Sequence, residues 1–157
     1  MSKLLERAKI CLKHAKHDYL YIGENDAYVD DCCFNIQQGI ELSLKYLVEL
    51  SGQRCSQTRD IRANLNLLCA TDYDIPNAPE LRMLAHTINE WKVKSCYLDS
   101  FTAMAEDITT AKGYLSDLIE YAEKLTIEMR LDPAALKSDI IISAETATEE
   151  QKNNGTI

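Results

Sequence analysis

The stretch FNIQQGIELSLKYLVELSG, Phe34–Gly52, decides how this chain folds. At the helical step, Ile36, Ile40, Leu44 and Leu47 share one face, and Val29 and Cys33 continue it backwards. Leu42, Tyr46 and Leu50 add a second apolar side, so the segment is expected at the centre of a helical bundle. Beside these surfaces Gln38, Glu41 and Lys45 fall within about 60° of one another. Glu41 precedes Lys45 by four residues, the better orientation for an ion pair. On an exposed helix such a pair is worth only ~0.2–0.5 kcal/mol, a poor reason for the stripe. The Gln38 amide can donate and accept across to another helix or chain. The three are therefore expected to form a structural polar seam between this helix and a neighbour.

Four more helices follow from the apolar periodicity around this one. Leu5, Ala8, Leu12, Ala15, Tyr19 and Ile22 step by three and four, predicting a first helix over Ser2–Ile22. The sequence GEND breaks it at Gly23–Asp26, with Asp26 as the expected cap of the second helix, which runs to Leu50 and stops at Ser51-Gly52. Thr58 or Asp60 is expected to cap a short third helix carrying Ile61, Leu65 and Leu68. TDYDIPNAPE then reads as a linker, Pro76 barring a continuous helix and Pro79 suiting a first turn. A fourth helix carries Leu81, Leu84, Ile88 and Trp91 and ends near Ser95–Leu98. A fifth, capped by Asp99 or Ser100, carries Phe101, Met104, Ile108, Ala111, Leu115, Leu118, Ala122 and Leu125. The only competing strand signal is Asp139–Ser143. The fold class is all-α, an up-and-down antiparallel helical bundle over residues 1–130. The polar tail, 131–157, is expected to be disordered or loosely docked.

Composition narrows the function classes. Of the 157 residues 46% are hydrophobic and 27% charged, enough apolar material for one core without disulfide or metal. The 17 basic residues face 25 acidic ones, for a net charge of −8. That balance opposes nonspecific nucleic-acid binding, which rests on Lys and Arg neutralising phosphates. The basic patch Arg54, Arg59 and Arg62 reads as a solvated loop and helix start. No apolar run is long enough to span a membrane and MSKLLERAKI has no signal-peptide core, so the expected location is the cytosol. The six cysteines form no C-x-x-C pair and are expected as small, reduced, buried residues. His14 and His17 lie one turn apart, but without an H-E-x-x-H pattern no metal site is expected, and no cofactor.

In its second helix the chain resembles the HEPN family of small helical bundles, often encoded beside minimal nucleotidyltransferases. The likeness rests on Phe34, then Gln37-Gln38, Glu41, Lys45 and Leu47 amid apolar residues. The loop motif of the family is matched by Thr58-Arg59-Asp60-Ile61, with Arg in place of a histidine. The Arg-Tyr often found before the last helix is Cys96-Tyr97 here. The likeness covers residues 1–126.

The resemblance implies two kinds of activity. Many members associate as homodimers or with a nucleotidyltransferase or antitoxin partner, and many are metal-independent ribonucleases using a more widely spaced Arg and His. Arg stabilises phosphate charge and His moves a proton near neutral pH. Here Arg82 and His86 are separated by three residues, on one helical side. Arg7 and His14 have the wider spacing but lie in the first helix, which seldom supplies the chemistry. RNA or a nucleotide as ligand finds no support in the charge. These residues favour association over catalysis.

Overall fold

The computed structural model describes residues 2–54, 57, 59–97 and 105–131, with the backbone alone over 92–97. Its elements are helices α1 (Leu4–Tyr19), α2 (Asp26–Leu50), α3 (Ile61–Leu68), α4 (Ala78–Tyr97) and α5 (Ala105–Leu131). No strand occurs among the described residues, so the all-α expectation holds. Thr58, Asp99, Ser100, Phe101, Met104 and the Asp139–Ser143 stretch lie outside them. The chain divides into two compact units, 1–122 and 123–157. The first is the bundle; of the second, the described part is the last turns of α5, residues 123–131.

Helix α2 is the centre of the bundle because two of its sides are apolar. Val29, Cys33, Ile36, Ile40, Leu44 and Leu47 are buried, and so is Leu42 on the second side. Burying such a side chain is worth about 1.5–3 kcal/mol, so this stripe dominates the core. Gly39 permits a close approach: a Cβ there would lie 2.6 Å from Leu115 Cδ2 of α5 and 3.2 Å from Cys11 Cβ of α1. A larger residue would have to push the Leu115 side chain aside and would crowd Cys11.

The helix ends correct several expectations. α1 stops at Tyr19, not Ile22, because residues 20–24 turn, with Tyr21 N bonded back to Asp18 O. The cap of α2 is Asn25, not Asp26: its extended backbone lets the side chain accept from Ala27 N at 2.8 Å. α2 closes through Gly52, whose φ of +88° is the left-handed conformation glycine tolerates. Asp60 caps α3, accepting from Arg62 N at 3.1 Å. Asn77 precedes α4 at φ +59° and donates to Asp117 of α5 at 2.8 Å, which fixes the register of that helix pair.

Core membership also differs in places. In α4 the buried stripe is Leu81, Ala85, Ile88 and Trp91; Leu84, expected within it, sits at its edge and is half-buried. In α5 Ile108, Ala111, Leu115, Leu118 and Ala122 are buried as the periodicity predicts, whereas Leu125, like Leu12, Tyr19 and Ile22 of the expected first stripe, is only half-buried. Cys32 and Cys33 are fully buried, but Cys11 is half-buried and Cys69 exposed at the end of α3, against the expectation of a uniformly buried set.

Candidate functional site

The polar stripe of α2 is set by the helix itself, since Gln38, Glu41 and Lys45 recur at its pitch. Glu41 is 4% exposed, and Lys45 Nζ reaches its Oε2 at 3.0 Å. The guanidinium of Arg59, just before α3, lies 3.9 Å from the same oxygen and is itself largely exposed. Gln38 is half-buried one turn earlier, and its neighbour Gln37 is buried. Glu41 is thus a carboxylate held out of water with one close cation and one outlying one. That arrangement is tolerable only while the cation stays, because an unpaired buried charge is far costlier than a paired one.

Arg82 and His86 leave α4 towards different partners. The Arg82 fork turns to α3, donating to Asn66 Oδ1 at 2.7 Å and reaching Cys69 Sγ at 3.7 Å. Its backbone carbonyl accepts from Arg62 Nε at 3.1 Å. His86 is exposed and its Nε2 meets Glu90 Oε2 at 2.8 Å, one turn further along α4. Arg7 and His14 are both exposed on α1. Asp60 ties α3 to α4 by accepting from Asn89 Nδ2 at 3.0 Å, besides its capping bond. Thr58 lies outside the described residues.

Sequence reasoning missed a second buried carboxyl. Asp18, near the end of α1, is 6% exposed and no donor reaches its Oδ2. Its Oδ1 lies 3.8 Å from His17 Nδ1, too far for a strong bond. Burial raises its pKa to about 6, helped by the hydrogen bond its proton makes to Asp31 and by the Asp31 charge, while His17 pulls the other way. Asp31 in turn accepts from the Asn35 amide at 3.4 Å. Asp30 is also raised, by burial first and by Asp26 second. Burial lifts the Cys32 thiol to about 11 and raises Cys33 further, so both stay protonated and unreactive. The only hint in the sequence is spacing: Asp18 follows Ala15 by three, which sets an acid within the apolar register of α1.

Among the described residues no group of three or more His, Cys, Asp or Glu side chains is disposed to hold a metal ion. Nor is any described helix long and apolar enough to cross a membrane. The family model of the HEPN domain matches residues 1–131, and the chain belongs to that family. No curated protein and no solved structure matches it.

Proposed function

We propose that this HEPN-family bundle acts through protein association, first with a second copy of itself, and lacks the usual ribonuclease motif of the family. The observation that carries this reading is the separation of Arg82 from His86. A ribonuclease needs a cation and a proton carrier converging on one phosphate. Here the guanidinium is committed to Asn66 and Cys69 and the imidazole to Glu90. The net charge of −8 adds a field that repels polyanions. Gln38, Glu41 and Lys45 serve in this reading as a structural seam within the bundle or its dimer. A nucleotidyltransferase or antitoxin partner is suggested by family membership alone.

The second reading is a metal-independent ribonuclease using Arg82 and His86 as a displaced pair. Their i, i+4 placement on α4 favours it, since modest side-chain rotation brings two such residues together. A cleavage assay on single-stranded and transfer RNA without metal separates the two. The expected result is no cleavage above that of a His86→Ala variant. Cleavage abolished by His86→Ala would establish the second reading, and cleavage lost instead in His14→Ala would move the site to α1.

A further inference from the structure

Helices α4 and α5 enclose a shallow groove of about 350 Å³. It is lined by Met83, Leu84, Thr110 and Tyr114 together with the carboxylates of Glu80 and Asp107. Met83 is 82% exposed, the highest value among the large apolar side chains described. It is not spare core, because the buried stripe Leu81, Ala85 and Ile88 faces the other way. The Asn77–Asp117 hydrogen bond sets the antiparallel register, which brings Glu80 level with Tyr114. Asp107 then lies about two helical turns, roughly 10 Å, along the groove from Glu80. The groove is therefore an apolar trough with a carboxylate at each end, and it fits a helix face bearing one apolar anchor between two cations.

Such a face is present on this chain. In α1 the exposed Ile10 is flanked three residues either side by exposed Arg7 and Lys13. The two cations are six residues apart, about 9 Å on a helix, which matches the spacing of the two acids. Glu6, the one acid of that helix's first turn, is occupied by Lys9 at 3.4 Å. The outer side of α1 thus offers a basic, apolar-centred strip on a chain whose overall charge is acidic.

We propose that the α4–α5 groove receives the α1 face of a second copy of this chain, with Ile10 seated against Met83, Leu84 and Tyr114 and Arg7 and Lys13 meeting Glu80 and Asp107. This rests on the association reading above and names its surfaces. The donor and acceptor surfaces are distinct; about a two-fold axis each copy gives one and takes one, and the exchange closes at a dimer. The apolar contact supplies affinity, and the charges supply orientation and a salt dependence.

Sedimentation velocity of the full chain across a concentration series tests it. Wild type is expected to dimerise, more weakly at high salt. Met83→Asp, the pair Glu80→Lys with Asp107→Lys, and the pair Arg7→Glu with Lys13→Glu are each expected to weaken the dimer by about tenfold or more. Combining both charge reversals in one chain is expected to restore it. All these positions are exposed or at the groove, so an unchanged far-ultraviolet circular dichroism spectrum certifies the fold of each variant. A wild-type dimer indifferent to every substitution would overturn this contact and leave the association reading standing. A wild-type monomer throughout would overturn both.

Discussion

Glu41, midway along α2, has an ammonium at 3.0 Å and a guanidinium at 3.9 Å. Asp18, at the end of α1, has an oxygen with no donor, a second carboxyl as neighbour, and a histidine only at 3.8 Å. Both carboxyls are about equally withdrawn from water, at 4% and 6% exposure. Burial alone therefore does not decide how a carboxyl is accommodated; the partner does. Glu41 is built as half of an ion pair, whereas burial first and the neighbouring Asp31 second hold Asp18 up to about 6.

Breaking the paired site gives the largest expected effect. Lys45→Ala strands Glu41 with only the outlying Arg59, and Glu41→Ala strands Lys45. Each is expected to cost ~3–5 kcal/mol in urea or thermal melts, the usual loss when one partner of a buried pair is removed. Losses near ~0–1 kcal/mol would instead describe a surface pair, and the stripe would then be better explained as a binding patch.

The unpaired site predicts a pH dependence. The folded-state pKa of Asp18 is raised from 3.8 to about 6. Its proton therefore stabilises the fold in full below about pH 3.8, and that contribution is lost as pH rises through about 6. The size is at most about 3 kcal/mol, since each tenfold change in proton affinity is worth about 1.36 kcal/mol. Asp18→Asn keeps a donor towards Asp31 but cannot ionise, so it is expected to flatten this part of the stability–pH curve and to melt above wild type at about pH 7.5. A stability–pH curve between about pH 4 and 7 that Asp18→Asn leaves unaltered would show instead that the Asp18 carboxyl titrates in the fold as it does in the unfolded chain. The smallest effect is expected from Arg59→Ala. Its guanidinium is 57% exposed and 3.9 Å away, so about 0–1 kcal/mol should be lost. A loss as large as that of Lys45→Ala would make the site a triad, not a pair.

Much of this was legible in the sequence, for physical reasons that differ by element. The core stripes of α2, α3 and α5 follow from helical period alone, because residues such as Ile40, Leu65 and Leu118 have no alternative burial. The Glu41–Lys45 contact was readable from its spacing of four. The helix ends were less so: Asn25 and Asp26 are both good caps, and only backbone conformation chose Asn25. Leu84 gave way to Ala85 because the buried line of α4 runs through Leu81, Ala85 and Ile88, which leaves Leu84 one helical step off it. What periodicity could not supply was anything joining distant segments. The pairing of Asp18 with Asp31, the reach of Arg59 to Glu41 and the α4–α5 groove all depend on how helices meet. Nor could spacing say that Arg82 would turn to α3 while His86 turned along α4, since an i, i+4 pair admits either outcome.

Above all, Glu41 and Lys45 are held to act as one buried unit that keeps α2 in its bundle. A double-mutant cycle in urea, from wild type through Glu41→Ala and Lys45→Ala to the double variant, measures this directly. The double variant is expected to lose far less than the sum of the singles, with a coupling of ~2–3 kcal/mol. Additive losses, with coupling within ~0.5 kcal/mol of zero, would contradict it.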